Sequence, residues 1–209
     1  LFADNYIGMK VVEKLKKYNE DIVGLFIHPP QYQHYTKEII KLSQLPKEYI
    51  NVVGKEWNDE NVRKLYLMKP DIILVVYWSY ILPKKIFQIP PMGCVNFHLS
   101  YLPYNRGKKP NVWPLIDNTP AGVTLHYIDE GIDSGRVISQ SRVEVEIIDT
   151  AETLYKKLIK EIPNLFEKTW PKIKKGKIVT KKIKEKGTFH LDSELKVLDQ
   201  INLNKKYDP

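Results

Sequence analysis

The sequence predicts an α/β fold in which helices cover a mostly parallel sheet. Short apolar runs at residues 22–27, 72–77 and 93–97 have the length of buried strands. Segments whose apolar residues recur at helical spacing separate these runs, which is the alternation that a parallel sheet requires. The chain has 209 residues, 43% of them hydrophobic and 28% charged, which suits one core and excludes a disordered or fibrous chain. Function in such a sheet lies at the carboxyl ends of its strands.

The first third of the chain supplies the first two predicted strands and most of the early helices. Residues 1–3 are expected to end a strand whose beginning precedes this numbering. Apolar residues between 7 and 15 recur at helical spacing, and lysines crowd the end of that helix, as its dipole favours. A Pro-Pro pair stops the strand at 22–27. Residues 36–69 are predicted to be mostly helical, with a short strand at 52–53.

The middle of the chain contains the clearest strand and a long ordered loop. The run 72–77 is continuously apolar, a short helix follows at 82–87, and the next strand is 93–97. Residues 99–114 are rich in proline, asparagine, glycine and aromatic residues. Linkers do not usually contain so many aromatic residues, so this segment is predicted to be a functional loop.

The remaining elements are two strands, a helix and a basic tail. We expect strands at 123–128 and 137–147 with a turn between them, and then a helix of about 18 residues that Thr150 and Thr153 cap. Residues 177–183 alternate lysine with isoleucine and valine, which predicts a half-exposed strand with a charged outer face.

Charge and cysteine content exclude several classes of function. The net charge is +8, but residues 1–167 carry only +1 and residues 168–209 carry +7, so the chain is not a uniformly basic nucleic-acid binder. The longest apolar run has six residues, which is too short to span a membrane. A single cysteine, Cys94, cannot form an internal disulfide and fits a reducing compartment.

Three polar residues follow or end the predicted strands and could carry chemistry. His98 could move protons near neutral pH, Asp133 could orient and stabilise its cation, and Asn96 could hold a developing oxyanion. Spacing alone leaves the simpler alternative open, in which His98 is a structural histidine and the other two are turn residues. His126, in the middle of a strand, could support these residues as a neighbouring partner, but a hydrogen-bonded strand histidine is the preferred interpretation.

The sequence around these residues resembles the formyltransferase family. Residues 93–107 are similar to its N-x-H-x-S-x-L-P-x-x-R-G pattern, residues 122–135 to its second motif, and residues 80–83 to its folate-binding segment. The resemblance covers residues 1–170. It implies a Rossmann-like formyltransferase fold, with a catalytic domain at 1–170 and a C-terminal strand-and-tail extension at 171–209.

The resemblance also implies a reaction and the roles of individual residues. Members transfer the formyl group of 10-formyltetrahydrofolate to an amine without a metal. Asn96 would bind the formyl oxygen, His98 would handle the proton of the amine, and Asp133 would orient His98. The implied folate-binding residues are Tyr80, Ile81, Leu82, Asp129, Glu130 and Gly131.

Two further segments favour one substrate class within the family. The loop 104–113 and the segment 187–195, which begins Gly-Thr-Phe-His, are similar to those of sugar N-formyltransferases. We therefore expect a nucleotide-linked amino-dideoxy sugar, with dTDP as the expected nucleotide. The expected substrate-binding residues are Asn5, Tyr104, Asn105, Arg106, Lys109 and Asn111.

Other functions within the fold remain open from the sequence. Glycinamide ribonucleotide formyltransferase and formyltetrahydrofolate hydrolase are the alternatives. Methionyl-tRNA formylation is disfavoured because only about 40 residues follow the last helix, fewer than that group's additional domain needs. The sugar interpretation implies a cytoplasmic homodimer that serves surface-polysaccharide (O-antigen) synthesis, with no nucleic-acid or membrane partner.

Overall fold

The computed structural model describes residues 1–196, which fold around a seven-stranded sheet of order β3-β2-β1-β4-β5-β7-β8. The first five strands of that order pair in parallel, whereas β5 with β7 and β7 with β8 pair antiparallel. The predicted mostly parallel α/β sheet is therefore confirmed. The strands are β1 Phe2–Ala3, β2 Leu25–Ile27, β3 Ile50–Val52, β4 Ile73–Val76, β5 Cys94–His98, β6 Arg106–Gly107, β7 Gly122–Tyr127, β8 Val137–Arg142 and β9 Phe189–His190.

Helices lie on both faces of the sheet, and strand alternation creates the two cores. Leu74 and Val76 of β4 face a large cluster that includes residues of the first and last helices. Ile73 and Val75 face a second cluster. Because successive side chains of a strand point to opposite faces, a continuously apolar strand can serve both cores. The helices are α1 Asn5–Lys17, α2 Thr36–Ser43, α3 Asp59–Leu67, α4 Lys84–Phe87, α5 Trp113–Asp117 and α6 Ala151–Lys174.

The last helix is longer than the sequence predicted. The cap is confirmed, because the side chains of Thr150 and Thr153 each accept a hydrogen bond from the other's backbone N–H. The predicted length is wrong: α6 has 24 residues and continues through Pro171. The extra turn is stabilised because Ile173, only 1% exposed, packs into the larger core cluster. Strand β8 is conversely shorter than predicted and ends at Arg142.

The tail is attached to the rest of the molecule at two places. The prediction of a strand at 177–183 is wrong. Instead, Lys181 alone forms an antiparallel bridge to Val137, with two backbone hydrogen bonds of 2.8 Å. The strand of the tail is β9, which pairs in parallel with β6 in a separate two-stranded sheet. Residues 197–209 of the predicted extension lie outside the described residues, and the division at residue 170 stays a prediction. None of the helices between residues 1 and 196 is long and apolar enough to cross a membrane.

Candidate active site

Strand β5 presents two of the predicted catalytic side chains on one face of the sheet. Asn96 and His98 are two residues apart, so they point the same way. The antiparallel register pairs Asn96 with His126 and His98 with Thr124 on β7. Directly paired residues have neighbouring side chains, and the Asn96 Nδ2 atom lies 3.1 Å from His126 Nε2.

Asp133, in the loop between β7 and β8, completes the cluster. Its Oδ1 atom accepts a hydrogen bond of 3.3 Å from Asn96 Nδ2 and lies 3.6 Å from His98 Nδ1 and 3.5 Å from His126 Nε2. Asp133 has a φ of 49°, in the left-handed region that aspartate tolerates better than most residues. The structure thus brings together the three residues that the sequence predicted, and adds His126.

The hydrogen-bond partners of His98 determine which ring nitrogen carries its proton. His98 Nε2 lies 3.2 Å from the backbone carbonyl oxygen of Asn105. A carbonyl only accepts, so the ring donates from Nε2, and a neutral ring then has its lone pair on Nδ1, facing Asp133. Burial lowers the pKa of His98, although the charge of Asp133 opposes that effect. His98 is therefore a neutral base near pH 7.

The charge of Asp133 is maintained by its neighbours. Burial alone would raise the pKa of this carboxyl group, but His98, His126 and a hydrogen bond from the Gly107 N–H outweigh it. They hold the pKa of Asp133 well below its usual range. The Gly107 hydrogen bond is 2.9 Å long and reaches Oδ2, the carboxylate oxygen that does not face His98. The site therefore combines an ionised carboxylate with a neutral imidazole.

One ion pair links the surroundings of the two predicted folate-binding segments. An ion pair between Lys84 and Glu130 joins the segment after β4 to the loop after β7. Asp129 is exposed, and its Oδ1 atom orders this loop by accepting hydrogen bonds from the Gly131 N–H and the Ser134 hydroxyl. In the segment after β4, Tyr80 packs edge-on against His28 and Trp78, Ile81 is 75% exposed, and Leu82 is buried in the second core cluster.

Two of the predicted substrate-binding residues have other partners. Asn105 is 0% exposed, and its side chain bonds to the hydroxyl groups of Thr119 and Thr188. Asn111 is also buried and donates to the Ala151 carbonyl at the start of α6. In this structure the two amides thus anchor the loop, and their contact with a substrate, which these bonds do not favour, stays a prediction. A motif reveals residue types but not which way a side chain turns.

The other predicted substrate-binding residues are more accessible or border a cleft. Tyr104, Arg106 and Lys109 are half-buried in the loop after β5. Arg106 lies over the Phe189 ring at 5.9 Å, and its Nε atom is buried without a hydrogen-bond partner among residues 1–196. Asn5, the first residue of α1 with a φ of 63°, borders a cleft of about 290 Å³. The other residues of that cleft are Tyr6, His34, Tyr35, Tyr155 and Ile159.

Sequence reasoning missed two contributions to the site. His126 looked like an ordinary strand histidine, and its Nδ1 atom does bond to the Tyr127 carbonyl at 2.9 Å. His126 lies opposite Asn96 in the sheet, which places its Nε2 atom in the site. An antiparallel alignment of β7 with β5, in which Thr124 and His126 pair with His98 and Asn96, would have indicated this position. The second contribution comes from backbone groups of Asn105 and Gly107, which leave no signal in a sequence.

Among residues 1–196, the structure shows neither a cluster of metal ligands nor a reactive thiol. Within residues 1–196, no group of three or more histidine, cysteine, aspartate or glutamate side chains could hold a metal ion. Burial raises the pKa of the Cys94 thiol to about 12, and its sulfur lies 3.6 Å from the Phe87 carbonyl. Such a thiol is a core residue and not a nucleophile.

The family model for formyl transferases matches residues 6–169 of the chain. The chain belongs to this family. A methionyl-tRNA formyltransferase of Kosmotoga olearia is 37% identical over 176 residues, which cover 81% of this chain and 55% of that protein. The chain spans about half the length, or less, of the curated relatives it matches. The family that the two motifs predicted is thus confirmed.

Solved structures of several formyltransferases share the fold. The formyltransferase PseJ from Anoxybacillus kamchatkensis, in complex with UDP-4,6-dideoxy-4-formamido-L-AltNAc and tetrahydrofolate, is 31% identical with a TM-score of 0.65, covering 77% of this chain and 84% of that one. The N-formyltransferase from Helicobacter canadensis, with folinic acid and dTDP-3-aminofucose, is 21% identical with a TM-score of 0.74, covering 92% and 70%. A phosphoribosylglycinamide formyltransferase of Bacillus halodurans has a TM-score of 0.69 at 23% identity, covering 82% and 92%. The last two show the fold alone.

Proposed function

We propose that the chain is a sugar N-formyltransferase that transfers the formyl group of 10-formyltetrahydrofolate to the amino group of a nucleotide-linked amino-dideoxy sugar. The observation that carries this proposal is the cluster of Asn96, His98 and Asp133, with a neutral imidazole beside an ionised carboxylate. An amine attacks an acyl carbon only when it is neutral and can lose a proton, which is the task that such a pair performs.

The geometry suggests how the proton moves. The amine nitrogen bonds to the formyl carbon, and its proton passes to Nδ1 of His98, where the lone pair lies. The resulting imidazolium is stabilised by Asp133, 3.6 Å away. When the intermediate collapses, the bond from the formyl carbon to the folate nitrogen breaks, and that nitrogen takes the proton back from His98. Both steps balance without a further reactant.

Asn96 has the chemistry needed to stabilise the oxyanion. Its amide N–H groups face His126 Nε2 at 3.1 Å and Asp133 Oδ1 at 3.3 Å. A formyl oxygen bound to Asn96 replaces one of these acceptors, and an oxygen that becomes negative accepts a stronger hydrogen bond than a neutral imidazole does. The donor is therefore already positioned and contributes most when the charge has developed.

Two observations support a nucleotide-sugar substrate. The 31% identical structure contains a formylated UDP-linked sugar together with tetrahydrofolate. In this chain, the half-buried Arg106 and the lysines at 108 and 109 place positive charge in the loop after β5, which suits a diphosphate. The predicted folate segment 80–83 is followed directly by Lys84, which pairs with Glu130 in the loop that also carries Asp133, and this is consistent with a folate site beside the cluster. A dTDP-linked sugar remains our proposed substrate, with UDP as the alternative nucleotide.

A substrate panel tests the proposal. The chain is incubated with 10-formyltetrahydrofolate and with dTDP- or UDP-linked 3-amino- and 4-amino-dideoxy sugars, glycinamide ribonucleotide, or buffer alone. We expect one amino sugar to gain the mass of CO, with release of tetrahydrofolate in equal amount. Formylation of glycinamide ribonucleotide alone, or formate release without an acceptor, would overturn the proposal in favour of the ribonucleotide enzyme or the hydrolase. The matched control is His98→Ala, which removes the proton acceptor.

Methionyl-tRNA formylation is the second candidate because the curated relatives with 32–40% identity include enzymes of that name. The same panel includes initiator methionyl-tRNA. Formylation of the tRNA, with affinity that falls steeply as salt increases, would favour this candidate. The predicted role in surface-polysaccharide synthesis, the cytoplasmic location and the homodimer are parts of the sugar proposal and stay predictions.

A further inference from the structure

The segment Gly187–His190, here called the tail clamp, holds the loop that contacts the catalytic cluster. Strand β9 pairs Phe189 with Arg106 and His190 with Gly107. Three backbone hydrogen bonds of 3.1–3.2 Å fasten the clamp to the loop: Thr188 N–H to the Pro103 carbonyl, Arg106 N–H to the Thr188 carbonyl, and Lys108 N–H to the His190 carbonyl. These hydrogen bonds hold the tail clamp and the loop together beside His98 and Asp133, although the two segments are about 80 residues apart in the sequence.

Thr188 contacts the residue whose carbonyl binds His98. Its hydroxyl accepts a hydrogen bond of 2.7 Å from the Asn105 backbone N–H and donates one of 3.0 Å to Asn105 Oδ1. Asn105 is fully buried and has a φ of 58°, a backbone conformation that the surroundings must maintain. The Thr188 hydroxyl therefore fixes both the main chain and the side chain of Asn105, and with them the direction of the Asn105 carbonyl.

The other end of the clamp is anchored by His190. Its ring stacks on Trp113 with centroids 3.9 Å apart and planes 7° apart. Its two nitrogens lie 3.1 Å from Asp117 and 3.0 Å from Glu194. These contacts keep the clamp in place, so that the position of Thr188 does not depend on its own hydroxyl contacts.

We propose that Thr188 is a positioning residue that selects the tautomer of His98. Two groups compete for the single ring proton of neutral His98: Asp133 beside Nδ1, at 3.6 Å, and the Asn105 carbonyl beside Nε2, at 3.2 Å. The Asn105 carbonyl keeps the proton on Nε2 only while it is held in line with the ring. Without the Thr188 hydroxyl, the carbonyl turns away and the proton moves to Nδ1. The lone pair then lies on Nε2, away from Asn96 and Asp133. The inference rests on the proposed function because it acts through the same His98.

The test uses Thr188→Val, which keeps the shape of the side chain and removes the hydroxyl. The first readout needs no substrate: ¹⁵N NMR of the His98 ring in the full chain. We expect the neutral ring to shift from mainly the Nε2–H tautomer towards the Nδ1–H tautomer. The second readout is turnover with the amino-sugar nucleotide that the wild type accepts. We expect kcat to fall about tenfold while KM for 10-formyltetrahydrofolate changes less than twofold.

Thr188→Ser restores the hydroxyl and should return both readouts to the wild-type values. Thr169→Val is the control, because Thr169 is a buried threonine distant from the tail clamp whose hydroxyl donates to the Leu165 carbonyl within α6. If Thr188→Val does not fold, Thr188→Ala, which only removes atoms, takes its place. A wild-type tautomer in the variant, or a kcat that Thr188→Ser does not restore, overturns the inference. A tautomer shift in a protein that formylates no amino sugar instead overturns the proposed function and leaves the positioning role intact.

Discussion

Replacing Asp133 with asparagine tests the electrostatic core of the proposed mechanism. The substitution keeps the shape of the side chain and an oxygen that can accept the Gly107 N–H, but removes the negative charge beside His98. At a separation of 3.6 Å and an effective dielectric constant of about 20, a carboxylate stabilises an imidazolium by about 4.6 kcal/mol. Because the imidazolium forms during the reaction and not before it, this energy is lost mainly from the transition state. We expect kcat to fall about a thousandfold.

The assay is steady-state turnover of the accepted amino-sugar nucleotide, combined with a pH profile and a melting curve. Asp133 raises the pKa of His98, so its removal should also move the acidic limb of the kcat/KM profile to lower pH. Asp71→Asn serves as the control, since it removes a negative charge from an exposed turn before β4. A kcat within tenfold of the wild type, in a variant with an unchanged melting temperature, would refute the assignment of Asp133.

Three further predictions concern pH, packing and the tail. In an NMR titration of the wild type, the His98 ring should become protonated only below pH 6.5, because burial lowers its pKa; a transition centred above 6.5 contradicts this. Leu158→Ala should reduce the free energy of unfolding by about 2.7–5 kcal/mol in urea titrations, because Leu158 is 0% exposed, whereas Leu67→Ala, at a site that is 63% exposed, should change it by less than about 1 kcal/mol. Gly187→Ala should lower both Tm and kcat, because the new Cβ would lie 2.0 Å from the Pro103 carbonyl oxygen; Gly176→Ala has a similar positive φ but no atom within 4 Å, so equal losses in the two variants would contradict the steric explanation.

The parts of the fold that follow from local pattern could be predicted from the sequence. The apolar run 72–77 predicted β4, and the two threonines at the start of α6 predicted its cap, because strand burial and capping depend on residues close together in the chain. The end of α6 and the tail strand could not be predicted in this way. Ile173 extends the helix by packing against distant residues, and β9 forms only because β6 offers it a partner.

The same distinction explains the candidate site. Motif residues 96, 98 and 133 were identified because their side chains perform the chemistry and therefore define the pattern. Asn105 belongs to the same motif, but its function in the site comes from its backbone carbonyl, while its side chain bonds to Thr119 and Thr188. The sequence indicated that Asn105 matters near the substrate and gave no means of telling that it contacts His98 instead.

Backbone groups would also explain an effect of the tail clamp on the chemistry, although residues 187–190 contribute no side chain to the cluster of Asn96, His98 and Asp133. His98 and Asp133 each depend on one main-chain partner, the Asn105 carbonyl and the Gly107 N–H, and only one residue separates these partners in the chain. Between them, Arg106 donates its N–H to the Thr188 carbonyl. A displacement of the tail clamp would therefore move the Asn105 carbonyl and the Gly107 N–H together. It would raise the energy of the Nε2–H tautomer of His98 and of the ionised Asp133 at the same time. For this reason the loss of kcat that accompanies a given loss of Tm should be larger for substitutions in the tail clamp than for core substitutions such as Leu158→Ala.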